Sequence, residues 1–170
     1  MVEIRTERLL LRRAREDDLA SFHAILSDAR SMAFWYCPPH DDLNVTQEWL
    51  AAMIEIDRGT GEDFAVEYEG RVIGKAGLRK FPVLGFIFHP DVWGRGLASE
   101  AVRPIIDRAF NTHGLPMIEA DVDPRNTSSL KLLNRLGFVE TGRAQRTSLV
   151  GSEWCDSVYL RRYSTDPNVS

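Results

Sequence analysis

The chain has 170 residues, a length that suits one domain with a substantial hydrophobic core. Its formal net charge of -4, with no block of lysine or arginine, argues against nucleic acid as the main partner. No apolar run approaches the length of a membrane span and the N-terminus lacks the apolar core of a signal peptide, so we expect a cytoplasmic protein with no membrane partner.

The first part of the chain predicts one strand and two helices. The strand covers residues 4–13, and a helix follows the acidic segment 15–18, because acidic side chains favour a helix N-terminus. We interpret Asn44 as the N-cap of the second helix, with Gln47 placed to reach back to it, and Gly59 as its C-terminal stop.

The segment 31–42 between these helices is irregular and carries Phe34, Trp35 and Tyr36 ahead of two prolines. Such an aromatic loop either forms the wall of a binding site or packs beneath a surface loop, and the pattern favours neither. The segment also contains Cys37, which with Cys155 makes up the cysteines of the chain. Their spacing is not that of metal ligands, so we expect two unpaired thiols and no bound metal.

Three strand patterns follow in succession, at residues 63–69, Arg71–Lys80 and 84–88. The first two are separated by a Glu-Gly turn signal, and short connections of this kind predict antiparallel pairing. The third strand should end near His89, since Pro90 cannot extend a hydrogen-bonded ladder.

A turn with two glycines, residues 93–96, joins the third strand to a predicted helix at Leu97–Asn111. Glycine lets the backbone lie close to a ligand, and the first N–H groups of a helix have no internal partners. The turn is therefore a candidate site for a phosphate or pyrophosphate, although a tight strand-to-helix turn would have the same pattern. Pro104 should kink or loosen the helix.

The remaining pattern predicts a strand, a helix and two closing strands, at residues 116–123, 127–136, 138–145 and 154–163. The first of these strands follows a helix, so it should run parallel to the strand before that helix. We therefore predict a mixed α/β fold whose mostly antiparallel sheet contains one βαβ crossover. We expect a single domain at residues 1–163 and a polar C-terminal tail at 164–170.

Several motifs, in their order along the chain, resemble those of the GCN5-related N-acetyltransferases. They are the segments Thr-Glu-Arg-Leu-Leu-Leu-Arg at 6–12, Trp-Gly-Arg-Gly-Leu-Ala-Ser-Glu-Ala at 93–101, Asn-Thr-Ser-Ser at 126–129, Leu-Leu-Asn-Arg-Leu-Gly-Phe at 132–138 and Trp-Cys-Asp-Ser-Val-Tyr at 154–159. Each motif is weak alone, but the ordered set is specific and spans nearly the whole chain. Within the family, the sequence is most similar to the RimJ/RimL-like branch of ribosomal-protein N-terminal acetyltransferases.

The resemblance implies central strands that start parallel and splay apart, with acetyl-CoA in the opening. The main chain that would hydrogen-bond the pantetheine arm is that of Phe86, Ile87, Phe88 and His89. The residues that would receive the pyrophosphate are Trp93, Gly94, Arg95, Gly96, Leu97 and Ala98. Arg95 would add charge, or would be an ordinary solvated arginine, and Asn126 would contact the arm, cap a helix, or do both.

The resemblance also implies catalytic candidates. Leu133 occupies the position where many family members carry a tyrosine general acid, so Ser129, one helical turn earlier, becomes the candidate that hydrogen-bonds the CoA sulfur. An attacking amine must be neutral, so a carboxylate or a relayed water should take its proton. The candidate carboxylates are Glu67, Asp121, Glu153 and Asp156, and we choose Asp156, which could equally be a structural acid.

The predicted function is transfer of an acetyl group from acetyl-CoA to a primary amine, by direct attack in a ternary complex. The acceptor is a protein N-terminus or a small amine, and its site would be walled by Phe34, Trp35, Tyr36 and Trp154. The alternative is a non-catalytic acyl-CoA-binding module of the same fold, because the family tyrosine is missing. A homodimer is possible, since dimers are common in similar proteins.

Overall fold

An eight-stranded sheet forms the centre of the computed structural model, which describes residues 2–165. The strands are β1 (Ile4–Arg5), β2 (Leu9–Arg12), β3 (Glu62–Tyr68), β4 (Arg71–Lys80), β5 (Val83–Phe88), β6 (Met117–Val122), β7 (Val139–Val150) and β8 (Glu153–Tyr163). They lie in the order β1-β2-β3-β4-β5-β6-β8-β7, and each neighbouring pair is antiparallel except β5 and β6. This confirms the predicted mixed, mostly antiparallel sheet.

Four α-helices within the described residues cover the two faces of the sheet. They are α1 (Leu19–Leu26), α2 (Leu43–Ile54), α3 (Leu97–Asn111) and α4 (Thr127–Arg135). Side chains alternate between faces along a strand, so Ala65 packs with α1 and α2 whereas its neighbours Phe64 and Val66 pack with α3 and α4. None of these helices is long and apolar enough to cross a membrane.

The central strands β5 and β6 are parallel and share only one ladder position, Val83 with Glu119. From there they diverge, while β5 remains paired with β4 along its other edge, from Gly85 to Phe88. Helix α3 connects the two strands as the predicted crossover, and it keeps its predicted bounds despite Pro104. The divergence leaves one edge of β5 without a neighbouring strand, as the predicted splaying requires.

Three predictions about the first part of the chain are wrong. The strand expected at residues 4–13 is a hairpin, because Thr6 forms the turn: its Oγ1 accepts a hydrogen bond from the Leu9 N–H at 3.0 Å. The N-cap of α2 is Asp42 rather than Asn44, since an Asp42 carboxylate oxygen accepts from the Asn44 N–H at 2.7 Å. Helix α2 then ends at Ile54, well before Gly59.

The closing strands β7 and β8 are longer than predicted, because each pairs with the other across the turn at Gly151. Cys37 and Cys155 are unpaired, as expected. Of the predicted tail, Ser164 donates its N–H to the Pro116 carbonyl at 2.9 Å. Residues 166–170 lie outside the described part of the chain.

Candidate active site

A groove of about 600 Å³ opens where β5 and β6 diverge. Four segments form its walls: β5, the glycine turn with the start of α3, the first turns of α4, and part of the segment 31–42. Its lining residues are Arg30, Ser31, Phe34, Trp35, Phe86, Ile87, Phe88, Val92, Trp93, Gly94, Arg95, Gly96, Leu97, Ala98, Ser99, Asn126, Ser128, Ser129, Lys131, Leu132 and Arg135. The structure thus brings together most of the site residues that were predicted from distant parts of the sequence.

Along β5, backbone groups that bond β4 alternate with backbone groups on the free edge, which face the groove. The His89 N–H donates to the Ile73 carbonyl at 2.8 Å, so His89 is tied into the sheet and does not line the groove. Backbone groups alternate along a strand, which leaves those of Phe86 and Phe88 facing away from β4. The Phe88 carbonyl accepts a hydrogen bond from the Trp93 indole at 3.0 Å.

The glycine turn presents a row of unused donors. Gly94 and Gly96 have φ of 72° and 75°, in the left-handed region where a side chain would be strained. Among the described residues, we find no acceptor for the backbone N–H groups of residues 94–99. These groups converge on the N-terminus of α3, so the geometry is that of an anion site.

Arg95 lines the groove, but its guanidinium turns toward β3. It donates to the Tyr68 hydroxyl at 2.8 Å and its Cζ lies 5.0 Å from the centre of the Tyr68 ring. The contact is exposed, so the guanidinium is tethered beside the turn rather than directed into it. Cationic side chains elsewhere on the wall, Arg30, Lys131 and Arg135, add positive charge to the groove.

Helix α4 begins at the groove with a side-chain cap. The Asn126 Oδ1 accepts from the Ser129 N–H at 3.2 Å, which confirms the capping role of Asn126. The half-buried Ser129 lines the groove, and its hydroxyl has no hydrogen-bond partner among residues 2–165. Leu133, at the position of the family tyrosine, is fully buried in the core.

Sequence reasoning missed the rest of this helix face. The groove is also lined by Ser128 and by three residues that follow it at intervals of three, four and seven positions: Lys131, Leu132 and Arg135. That spacing places them on one helical face, which is a signal the sequence contained. Two of them are cationic, so the wall suits a ligand with several negative charges.

Part of the groove wall, called here the aromatic end, comes from the segment 31–42. Phe34 and Trp35 line it, and the Arg125 guanidinium lies 5.5 Å from the centre of the Phe34 ring. The Trp35 indole N–H is buried and has no hydrogen-bond partner in the part of the chain that the structure describes, and Lys75 Nζ lies 5.7 Å from the ring centre. Tyr36 does not line the groove; its hydroxyl accepts from the Trp49 indole at 3.0 Å.

Arg125 ties this aromatic end to the neighbouring elements. Its guanidinium bonds Asp123 at 2.7 Å, before α4, and Glu153 at 2.7 Å, at the start of β8. The hydrogen bonds from Arg125 lower the pKa of Asp123 below its ordinary value. One arginine therefore links the turn before α4 and the closing hairpin to the ring of Phe34.

The predicted acceptor residues on β8 lie outside the groove. Asp156 accepts a hydrogen bond from the Arg146 N–H at 2.9 Å, where β7 has an irregular register and Arg146 has a positive φ of 53°. The exposed ring of Trp154 contacts the Arg146 guanidinium at 5.1 Å instead. This placement favours the structural role of Asp156 over the base role.

Carboxylates are absent from the groove wall within residues 2–165. Of the other base candidates, Glu67 is held by Arg12 at 2.9 Å and Glu153 by Arg125, and Asp121 is exposed elsewhere on the surface. The described residues also include no cluster of three or more histidine, cysteine or acidic side chains that could hold a metal ion.

Comparison with known proteins identifies this arrangement. A family model described as an acetyltransferase (GNAT) domain matches residues 8–139. The chain belongs to the GNAT family. It is therefore an acyltransferase that uses acetyl-CoA, and the predicted family resemblance is confirmed.

Three similar proteins illustrate the relationship. The N-acetyltransferase p20 of Bacillus licheniformis is 31% identical, over 84% of this chain and 85% of p20. The ribosomal-protein-S5-alanine acetyltransferase of Vibrio fischeri has the same fold, with a TM-score of 0.82, 23% identity, and coverage of 98% of both chains. A spermidine N-acetyltransferase of Vibrio cholerae, solved with CoA and spermine, has a TM-score of 0.79 at 22% identity, covering 93% of this chain and 96% of that one.

Proposed function

We propose that this GNAT acetyltransferase transfers the acetyl group of acetyl-CoA to a primary amine, by direct attack in a ternary complex. The observation that carries the proposal is one groove whose wall contains both the free N–H groups of the glycine turn and the aromatic side chains Phe34 and Trp35. We propose further that residues 1–163 act as one cytoplasmic domain. The continuous sheet from β1 to β8 and the unpaired cysteines support this.

In this proposal, acetyl-CoA lies along the groove from α3 to the aromatic end. The pyrophosphate takes the free N–H groups of residues 94–99, and the pantetheine arm bonds the backbone of Phe86 and Phe88 as an added strand would. Lys131 and Arg135 supply positive charge for the phosphate of CoA that is not part of the pyrophosphate. Asn126 orders the beginning of α4 beside the arm.

The chemistry needs one bond to form and one to break. The neutral amine attacks the thioester carbonyl carbon, the carbon–sulfur bond breaks, and CoA leaves as a thiolate. Ser129, whose hydroxyl has no partner among residues 2–165, donates a hydrogen bond to the departing sulfur. The proton of the amine passes to water, since no carboxylate of the described chain lines the groove.

The acceptor enters in this proposal at the end walled by Phe34 and Trp35. One structurally similar protein is named a ribosomal-protein-S5-alanine acetyltransferase, and another was solved with spermine bound. A protein N-terminus and a small polyamine are therefore the acceptors to test first. The motifs at residues 6–12 and 154–159 resemble those of the RimJ/RimL-like branch, which favours a protein N-terminus. A homodimer is part of this proposal and is tested by sedimentation of the purified protein.

The deciding experiment is an acceptor screen that detects the free thiol of released CoA. The panel contains peptides with an N-terminal alanine, spermidine and spermine, each compared with its fully N-acetylated form, in which every amine is blocked. We expect thiol release with at least one free amine and none with the blocked controls. Tight CoA binding with no thiol release from any amine would contradict the proposal.

A further inference from the structure

The hairpin between β1 and β2 lies against the glycine turn through a short network of hydrogen bonds. Glu100, in the first turn of α3, accepts from the Thr6 hydroxyl at 2.6 Å and from the Arg8 N–H at 2.7 Å. The Arg8 Nε donates to the other Glu100 oxygen at 2.7 Å. Both carboxylate oxygens of Glu100 are thus used, and the Arg8 side chain is held in one orientation.

The remaining donors of Arg8 point at the glycine turn itself. Arg8 Nη1 donates to the Arg95 carbonyl at 3.0 Å, and Nη2 lies 3.6 Å from where a Cβ on Gly96 would be. In a trans peptide, the carbonyl oxygen and the following N–H point in opposite directions. A bond that draws the Arg95 carbonyl toward Arg8 therefore turns the N–H of Gly96 away from Arg8.

Glu100 would be unfavourable for an anion site if it stood alone. A carboxylate in the first turn of a helix competes with a phosphate for the same partial positive charge. Here the carboxylate is matched by the Arg8 guanidinium, so the pair is close to neutral where the phosphates would bind. The pair also crosses 92 residues of sequence, from the N-terminal hairpin to α3.

We propose that Arg8 is a positioning residue for the pyrophosphate of acetyl-CoA. It acts through the Arg95 carbonyl, which sets the direction of the Gly96 N–H, while Thr6 and Glu100 hold Arg8 in place. This inference rests on the proposed acetyl-CoA site and adds the N-terminal hairpin to it. The hairpin motif at 6–12 then has a physical function that the groove lining alone does not reveal.

The test measures CoA affinity by calorimetry in the full chain. Arg8→Ala should weaken CoA binding about tenfold, since the turn loses its anchor. In steady-state assays the KM for acetyl-CoA should rise while the KM for the best amine stays unchanged. Arg143→Ala is the matched control, because Arg143 makes a similar two-point bond to Glu140 on β7, away from the groove. Its CoA affinity should equal that of the parent.

A double variant separates the proposed positioning role of Arg8 from the effect of its positive charge. Arg8→Ala with Glu100→Gln has the same local net charge as the parent pair, so it should remain weakened if Arg8 acts by position. Recovery of parental affinity in the double variant would overturn the inference, as would parental affinity in folded Arg8→Ala.

If Arg8→Ala does not fold, Arg8→Lys replaces it, because a single flexible ammonium lacks the rigid guanidinium fork whose Nε and Nη1 bond Glu100 and the Arg95 carbonyl separately. Parental affinity in Arg8→Lys would then overturn the inference. If the parent itself fails to bind CoA, the proposed function fails and the inference fails with it.

Discussion

At the residue scale, Ser129 is the side chain on which the proposed chemistry depends most. Its N–H is used by the Asn126 cap, which holds the residue at the start of α4. Its hydroxyl remains free to face the groove. The cap and the hydroxyl are separate groups, so the local structure and the proposed chemistry can be tested independently.

Ser129→Ala should lower kcat about tenfold to a hundredfold, because it removes one hydrogen bond to the developing thiolate. The KM for acetyl-CoA should change little, since the bond forms mainly in the transition state. Steady-state kinetics with saturating amine measure both values. Ser21→Ala, at a half-buried serine of α1 that does not line the groove, serves as the control. An unchanged kcat in Ser129→Ala with rate-limiting chemistry would refute the role.

Asp156 requires a test that separates a base from a structural acceptor. Asp156→Asn keeps an oxygen that can accept from the Arg146 N–H, whereas Asp156→Ala removes it. We expect Asp156→Asn to retain kcat and stability, and Asp156→Ala to lose about 1 kcal/mol of unfolding free energy. A fall in kcat/KM for Asp156→Asn that deepens at lower pH would instead support a base acting through water.

At the scale of elements, the segment 31–42 is held over the groove by contacts from several directions. Arg125 lies over Phe34 while it bonds the closing hairpin, and the Tyr36 hydroxyl bonds Trp49 of α2. From this segment, Ser31, Phe34 and Trp35 line the groove, and the preceding residue Arg30 lies beside them on the wall. The loop is therefore both a packed element and a wall, so the two interpretations of its sequence are not exclusive.

Trp35→Ala should raise the KM for the amine, because it opens the wall that would align the acceptor, and should leave acetyl-CoA binding nearly intact. Trp35→Phe is the matched variant. It keeps an aromatic ring and removes the buried N–H that has no partner, so its stability should fall by less than about 1 kcal/mol. Steady-state kinetics and thermal denaturation check both variants; equal amine KM values in all three proteins would exclude this wall.

At the scale of the whole molecule, acidic groups bonded to arginines couple stability to pH. Burial alone would raise the pKa of Glu62, but hydrogen bonds from Arg108 and His113 outweigh it and lower the pKa overall. The pKa of Glu100 is also lowered, because hydrogen bonds from Thr6 and Arg8 outweigh the effect of burial. These contacts join β3 to the end of α3 and the N-terminal hairpin to its start.

The lowered pKa values determine whether stability rises or falls with pH. The unfolded chain binds protons at these carboxylates near the ordinary glutamate value of 4.5, before the folded protein does. The stabilisation is therefore present above that pH and is lost as the pH falls through the lowered values. The melting temperature should drop below about pH 4.5, and Glu62→Gln should show a shallower drop in thermal denaturation followed by circular dichroism. Parallel curves for the two proteins would contradict the assignment.

Local pattern was enough to predict the elements that frame the groove. The bounds of β4 and α3 follow from the hydrophobic period and from turn signals, because those depend on residues near in sequence. The ordered motifs placed the glycine turn, Asn126 and Ser129 in one site through family resemblance. Such features can be predicted because they depend mainly on residues near in sequence and only weakly on the rest of the fold.

The sequence by itself thus determined most of the order of elements, the family and the position of the glycine turn. Only the tertiary structure decided which side chains reach the groove. Asp42 and Asn44 can each cap a helix, and the choice depends on the backbone that tertiary packing imposes. Asp156 and Trp154 lie outside the groove, where each contacts Arg146, and Arg8 meets Glu100 only because the sheet brings the hairpin beside α3. Side-chain direction depends on partners distant in sequence, and no local pattern encodes such partners.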